Sequence, residues 1–574
     1  MTSVRISHLV LPVVVLLAAV PGRADDAILS DQILPADTFL HLSISNVDAV
    51  RQQFAESSIG QLIQDPAMDD FKGELERAFG RQIEEGFTQF EDSLGISAAE
   101  LLEIPSGEVA FSVTSTGNRI GAVIYIDFGD SESQVRSLLE KAEDALGQVS
   151  ELTQVSDEFD GTELHLFEVN GPVPTPLVRE FGWFIRDSRL VICNSHRVME
   201  ELISSWDGEA TDTFVNNDVY SQFLSRCQSH DRSAVGTVYL DPVGIFTKLV
   251  QTGSFGQAGL GAGMAMGFFP TLGINQLKAI GAVTEIGTGD FETVARGMMY
   301  ADQPPQGLMR AFMLDTVDPT PPSWVKEDTV LYTVFNWQAA EAYTAVESLV
   351  DMFQGAGALA SMIDQVSDAG LGIHIKDDVI DQLTGAVRLI AGAANPDAPG
   401  GEMIFAIEVR DPDQFGDMLA RVTDEPGFPG SIREFRGATL YEIEAPGQTV
   451  AFTVANGNFL MSMGDTILEQ VLRNDDDIRP LAESEDFQKI ARKIPSDVVS
   501  VSFSRPAEQY RSLYDMLISG EAAAMFYGMD EIFSQIDFST LPPFESISKY
   551  IQPSGGFIVN DENGLVSEGF SLKH

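Results

Sequence analysis

Apolar and polar residues alternate over residues 38–45, where Leu40, Leu42 and Ile44 fall on one face. A period of two predicts a β-strand. Asn46 follows directly and is placed to cap a helix, because its short side chain can accept a hydrogen bond from the first helical turn. The chain therefore opens with a strand and then a helix.

The same two periods recur down the first half of the chain. Asp130 is predicted to cap a helix, and Ser195 and Val219 also stand at the start of stretches with helical spacing. Pairs such as Gly117-Asn118 separate strand-like runs and predict tight turns. The predicted strands are residues 109–113, 120–128, 164–169, 181–185, 190–193, 235–240, 277–286 and 291–300.

The opening pattern returns in the second half. Asp328-Thr329 repeats Asp37-Thr38 at an offset of 291 positions, and the offset shrinks in steps to about 263 over about ten similarities that occur in the same order in both halves. Loop deletions would produce such steps. Asn336 and Asp411 are predicted to cap the helices of the second copy. A period this long indicates a duplicated domain and not a solenoid.

This organisation predicts the fold class. A chain of 574 residues is too long for one hydrophobic core. We expect an α+β protein, with two tandem copies of a mostly antiparallel sheet packed with amphipathic helices. The expected boundaries are a signal peptide over residues 1–24, a first repeat domain over 25–318 and a second over 319–574.

The start of the mature chain resembles a known family. Leu34-Pro35-Ala36-Asp37-Thr38, then a strand, an Asn-capped helix and residues 58–66, is similar to a bacterial family of exported proteins that has no assigned function. The second copy lacks the Leu-Pro before Asp328-Thr329. The resemblance implies that the protein is exported and has the fold of that family. It implies no activity and no catalytic residue.

The N-terminus predicts export. A short basic start with Arg5 precedes an apolar run over residues 9–20, and Gly22-Arg23-Ala24 offers small residues for cleavage before Asp25. The run is short for a membrane span, although an uncleaved anchor is the alternative. We expect a periplasmic or secreted protein with no stable membrane span after cleavage.

Charge narrows the range of partners. The formal net charge is −51, which repels phosphate backbones and anionic lipid headgroups. Nucleic acid is therefore disfavoured as a partner, and an unknown envelope protein or an apolar ligand is expected. Such an acidic surface could also collect divalent cations loosely.

The chain has two cysteines, Cys193 and Cys227. An oxidising compartment would permit a disulfide between them. Two cysteines in so long a chain do not make a disulfide framework, and Cys193 lies in an apolar, strand-like run. Two separately buried thiols are therefore the other interpretation.

Catalytic and metal motifs are weak. Ser546-Ile547-Ser548-Lys549 fits Ser-x-x-Lys, but the partner motifs of penicillin-recognising enzymes do not accompany it. Glu163 and His165 share a strand face, yet a zinc site needs three or four ligands. The acidic run 474–486 lacks the glycine and glutamate of a calcium loop. We therefore predict no catalytic residue, no cofactor and no enzyme activity.

The most unusual segment is residues 249–277, which carries no charge and is rich in glycine. We interpret it as a mobile apolar flap or a packed loop. A surface for an apolar ligand or a partner is the alternative, and membrane insertion is the third interpretation. The residues that would form that surface are Phe255, Leu260, Met264, Met266, Phe268 and Phe269.

Together these patterns predict an exported, non-catalytic binding or structural protein. A carrier of an apolar ligand or lipid that uses residues 249–277 is one alternative. An uncharacterised hydrolase is the other, and it would require a polar cluster in one copy that the second copy lacks.

Overall fold

The structure is a computed structural model. It describes residues 28–78, 98–171, 179–228, 236–287, 289–366, 373–392, 403–424, 428–445, 448–464, 466–473, 479–521 and 535–573. The predicted signal peptide and the start of the acidic run, residues 474–478, lie outside these ranges.

In the part of the chain that the structure describes, strands of both halves belong to one sheet of 21 strands, and every described pairing is antiparallel. The strands, in chain order, are β1 Thr38–Ile44, β2 Val109–Thr116, β3 Arg119–Asp127, β4 Leu152–Phe159, β5 Thr162–Val169, β6 Glu180–Arg186, β7 Arg189–Cys193, β8 Gly236–Leu240, β9 Leu277–Ile286, β10 Phe291–Ala301, β11 Leu314–Asp315, β12 Leu331–Trp337, β13 Leu383–Ala391, β14 Met403–Val409, β15 Ser431–Phe435, β16 Ala438–Ala445, β17 Gln448–Ala455, β18 Asn458–Met463, β19 Val498–Ser504, β20 Ser554–Asp561 and β21 Gly564–Leu572.

The strand order confirms the predicted α+β fold with two copies of an antiparallel sheet. The first half runs β4-β5-β6-β7-β3-β2-β1-β8-β9-β10. The second half runs β15-β16-β17-β18-β14-β13-β12-β19-β20-β21. Strand β1 therefore has the same neighbours, relative to its half, as β12.

The two copies are joined edge to edge, which the sequence does not predict. Strand β10 pairs with β21, so the sheet continues from one half into the other. The pairing is centred on Arg296 opposite Glu568, with Val294 opposite Phe570 and Met298 opposite Val566. The halves are therefore related by an approximate two-fold rotation about the Arg296–Glu568 pair.

Helices cover the sheet. Within the described ranges they include Ser30–Ile33, Val47–Glu56, Ser58–Gln64, Ala98–Glu103, Glu132–Leu146, His196–Ser204, Asp218–Cys227, Pro242–Gln251, Gly259–Met266, Phe269–Leu272, Ala339–Gln354, Ala358–Val366, Pro412–Thr423, Thr466–Arg473, Glu485–Ala491, Pro506–Ser519 and Phe544–Ser548. Each half has one large core and one smaller cluster of buried apolar side chains.

The faces of β1 differ from the simplest expectation. Its alternation is confirmed, but Leu42 and Ile44 remain 38% and 37% exposed. The buried side carries His41, whose ring lies 5.6 Å from Phe214 and 6.0 Å from Tyr220, between centroids. The packed helices of the first half cover the face that carries Phe39 and His41, and not the face that carries Leu42 and Ile44.

Two of the four predicted caps are confirmed. The side chains of Asn46 and Asp411 accept backbone hydrogen bonds at the starts of their helices. Asn336 is wrong as a cap, because its amide donates to the Thr316 carbonyl at 2.7 Å and the helix begins later. The cap predicted at Asp130 is also wrong, because Ser131 occupies the N-cap position of that helix.

Candidate functional site

A large groove lies where the two halves meet. Its floor is formed by β9, β10, β20 and β21, and it encloses about 980 Å³. One wall comes from the first half, from the helices Val47–Glu56 and Ser58–Gln64. The opposite wall comes from the second half, from Pro506–Ser519 and Phe544–Ser548. We call this site the junction groove.

The first-half wall presents apolar side chains to the groove. Phe54, Ile59 and Leu62 line it, and Ile59 is 59% exposed. The Ser57 side chain caps the second helix by accepting from the Gly60 N–H. The backbone N–H of Ser58, the first residue of that helix, donates to the Glu292 carboxylate on β10. This bond ties the wall to the floor of the groove.

The second-half wall is also apolar. Tyr510, Leu513 and Leu517 follow one another along the helix Pro506–Ser519 and line the groove, with Tyr510 52% exposed. Tyr514 holds this helix to the next element, because its hydroxyl donates to the Pro542 carbonyl at 3.0 Å. Its ring also lies 5.4 Å from that of Phe544, between centroids.

Polar groups in the groove are few, and several are already engaged. On the floor, the Thr293 and Ser571 hydroxyls bond each other at 2.7 Å. Glu292 accepts the Ser58 bond described above. The described lining includes no histidine, cysteine or lysine. The groove can therefore offer mainly hydrophobic contact, which is typical of sites for apolar ligands.

Charged and aromatic contacts close one end of the groove across the two halves. The Asp65 carboxylate accepts from Lys549 and from the Tyr550 hydroxyl, each at 2.8 Å. The hydrogen bond from Lys549 holds the pKa of Asp65 well below its usual range. Nearby, the rings of Phe71 and Phe538 lie 6.2 Å apart. These contacts fix the spacing between the two walls.

A smaller cavity of about 320 Å³ lies at the other end of the β10–β21 pair. Residues 302–315, which connect β10 to the second half and which we call the linker segment, lie across it and supply more than half of its lining. The junction groove is therefore the larger and more open of the two.

The glycine-rich segment lies elsewhere. The interpretation as a packed loop is wrong, because residues 249–277 form short helices that include Gly259–Met266 and Phe269–Leu272. The interpretation as a mobile flap stays a prediction. Asp241 caps the preceding helix, with Pro242 at its first position, so helical structure is already started before the glycines.

None of the six predicted surface residues lines the junction groove. Leu260, Met264 and Phe268 are exposed, with Leu260 at 80%. The rings of Phe255 and Phe269 each lie 5.5 Å from Phe246. Met266 is half-buried. The segment thus presents separate exposed side chains on glycine-rich helices.

The disulfide considered between Cys193 and Cys227 is not formed. Both are free thiols buried in the core of the first half, one on β7 and the other at the end of the helix Asp218–Cys227. Burial raises the pKa of each thiol to about 12. Neither is activated as a nucleophile.

The weak catalytic and metal motifs have structural partners. Lys549 of the Ser-x-x-Lys pattern is paired with Asp65. His165 contacts Glu143, stacks on Trp183 at 5.8 Å and lies 4.0 Å from Glu163. Within the described ranges, no group of three or more His, Cys, Asp or Glu side chains is placed to hold a metal ion.

Two buried titratable groups lie in or beside the first core. Burial lowers the pKa of His41 to about 4, and its Nδ1 lies 3.0 Å from the Ser112 hydroxyl. Burial raises the pKa of Glu108 to about 8. Neither lines the junction groove, so both serve the fold and not the candidate site.

Comparison with known proteins adds little. No family model matches the chain, and no curated protein matches it. Two solved structures, crystal forms I and III of TP0453, are 10% identical over 45% of this chain, and they align over 79% and 81% of their own chains. The TM-score is 0.22 in both cases. Of the helices in the described parts of the chain, none combines the length and apolar character needed to cross a membrane.

Sequence reasoning missed the junction groove because its parts are distant in sequence. The walls come from residues 54–62 and 506–551, and pairing of β10 with β21 brings them together. The available signal was an apolar stripe, Leu513 and Leu517, on the helix Pro506–Ser519. Its counterpart in the first half, the helix Pro242–Gln251, has few charged residues. An apolar stripe on one helix does not reveal that the opposite wall of the groove comes from the first half of the chain.

Proposed function

We propose that the protein is a non-catalytic binding protein that holds an apolar ligand in the junction groove, after export from the cytoplasm. The observation that carries the proposal is a groove of about 980 Å³ whose two walls are apolar and come from different halves. Removing apolar surface from water would drive binding, at roughly 25 cal/mol per Å² buried.

The chemistry of the lining supports binding over hydrolysis. A hydrolase that works through a serine or threonine nucleophile needs a base within reach of it, such as histidine. The lining serines and threonines include Thr293 and Ser571, which bond each other, and the described lining has no histidine. Export rests on the expected signal peptide and belongs to the same proposal.

The test uses a neutral apolar dye, N-phenyl-1-naphthylamine, titrated into the protein. We expect saturable fluorescence enhancement. Ile59→Asp and Tyr510→Asp each place a charge on one wall, and both side chains are more than half exposed, so the fold should tolerate them. Each change should weaken binding at least about ten-fold, which corresponds to about 1.4 kcal/mol.

Leu260→Asp is the matched control, because Leu260 is an exposed apolar residue outside the groove. It should leave dye binding unchanged. If instead Leu260→Asp removed binding while the groove variants kept it, the ligand site would lie in residues 249–277. Unchanged binding in all three variants would show that the groove is not the site.

A further inference from the structure

We infer that the ligand of the junction groove is an apolar peptide segment of a partner protein, an inference that rests on the proposed function. The chain itself carries the supporting observation. At the opposite end of the β10–β21 pair, the equivalent position is covered by a peptide, the linker segment of this same chain.

The two positions are equivalent because the strand pairing is symmetrical. Around the Arg296–Glu568 centre, one end of the pair places Thr293 opposite Ser571, both on the floor of the junction groove. The other end places Met299 opposite Leu565, and both line the smaller cavity. Each end therefore has one cavity, built on corresponding parts of β10 and β21.

The linker segment shows how a peptide is held there. The Gln276 side chain donates to the Pro304 carbonyl at 2.9 Å and accepts from the Gln306 N–H at 2.6 Å. The Trp337 indole N–H donates to the Ala311 carbonyl at 2.9 Å. The Asn560 amide donates to the Leu314 carbonyl at 3.1 Å. Side chains from the strands and their flanking turns thus satisfy the backbone of the bound segment.

Apolar side chains of the linker segment complete the contact. Three apolar side chains of the linker segment line the smaller cavity and are partly buried there: Met309, Met313 and Leu314. Only about 320 Å³ remains there, against about 980 Å³ in the junction groove. No described segment of the chain lies across the junction groove in the same way. A peptide of similar character would bury the exposed Ile59 and Tyr510 side chains.

Charge indicates what flanks the apolar residues. In the linker segment, Arg310 pairs with Glu341. The whole chain has a formal net charge of −51, so a segment with basic residues would be attracted and an acidic segment repelled. The expected partner therefore presents a short apolar stretch that includes or adjoins basic residues.

The test uses a fluorescein-labelled peptide with the sequence of residues 305–315, extended by two lysines, and fluorescence anisotropy with the full chain. We expect saturable binding that Ile59→Asp and Tyr510→Asp each weaken at least about ten-fold, while Leu260→Asp leaves it unchanged. A peptide with serine at the positions of Met309, Met313 and Leu314 should not bind, because these side chains make the apolar contact of the linker segment.

Competition separates this inference from the proposed function. The peptide should displace N-phenyl-1-naphthylamine from the groove. If the dye binds the groove but the peptide neither binds nor displaces it, and oleate or phosphatidylcholine vesicles displace it instead, the ligand is a lipid and the peptide inference is wrong while the groove remains a site. Peptide binding that is equal in wild type and both groove variants would place the peptide elsewhere and overturn the inference. Failure of dye and peptide together would remove both proposals.

Discussion

The buried carboxyl of Glu108 should make the stability of the protein depend on pH in a direction opposite to that of an ordinary carboxylate. Glu108 is 5% exposed. It accepts two hydrogen bonds of 2.7 Å from Ser30, one from the backbone N–H and one from the hydroxyl. Its pKa is raised to about 8, chiefly by burial; the hydrogen bonds from Ser30 oppose this rise, and the charges of Asp31 and Asp127 add to it.

The sign follows from proton binding in the two states. The unfolded chain releases this proton near the ordinary value of 4.5, whereas the folded chain holds it up to about pH 8. The stabilising contribution is therefore fully present below pH 4.5 and is lost as pH rises through 8. At 1.36 kcal/mol per pH unit, the full loss has a ceiling of about 5 kcal/mol.

Glu108→Gln removes this titration and keeps an oxygen that can accept from Ser30. We expect the variant to match wild type at pH 5 and to exceed its stability by several kcal/mol, up to about 5, at pH 9. The measurement is the urea midpoint, followed by tryptophan fluorescence, to which Trp206 in the core of the same half contributes. Other titrations, including that of His41, are common to both proteins and cancel in the comparison.

Glu209→Gln is the control, because Glu209 is exposed and its substitution should leave the pH profile of wild type intact. The reasoning would be refuted if Glu108→Gln and wild type lost stability in parallel between pH 5 and pH 9. A large loss in the variant at pH 5 would instead show that the amide cannot replace the acid as a partner of Ser30.

Three further predictions concern the junction and the core. Phe570→Ala should cost about 3–5 kcal/mol of unfolding free energy, because the ring is buried and contacts another ring across the junction; a change in the urea-derived free energy below about 1 kcal/mol would contradict this. Asp65→Asn should speed hydrogen exchange in the helix Phe544–Ser548, since it removes the contact with Lys549, and unchanged exchange would show that the contact does not hold the wall. Cys193 and Cys227 should resist iodoacetamide at pH 8 in the native protein and take two labels in denaturant, because burial raises both pKa values to about 12; rapid native labelling, or no labelling in denaturant without reductant, would be inconsistent with buried free thiols.

Local patterns predicted much of the fold. The turn at Gly117-Asn118 joins β2 to β3, as expected from the alternation of apolar and polar residues on either side of it. The repeated Asp-Thr opening led to the duplicated topology, because each copy carries its own strands and helices in the same order. These features depend on residues close together in sequence.

Features without a local signal were missed. Strand β4 is exposed along most of its length, so its sequence lacks the apolar alternation that marks a half-buried strand. The pairing of β10 with β21 joins residues that are 264 to 281 positions apart, and neither strand has a sequence feature that identifies the other as its partner. The junction groove depends on that pairing and was missed for the same reason.

The glycine-rich segment shows a different limit. Low charge and many glycines indicated an irregular loop, yet residues 259–266 are helical. Glycine lowers helix propensity by only about 1 kcal/mol per residue, and neighbouring contacts can outweigh this cost. Composition therefore identified an unusual segment but not its conformation or its place away from the groove.

The Arg296–Glu568 pair has a consequence for how such a chain could arise. A single ancestral copy would present β10 as an open edge strand, and two such copies could join by the same antiparallel pairing into a symmetrical dimer. In that dimer the central position would face itself, so an arginine there would oppose an arginine. Fusion into one chain frees the two positions to differ, and here it places an arginine 2.7 Å from a glutamate on the former symmetry axis. The same freedom leaves one groove covered by the fused connection and the other open.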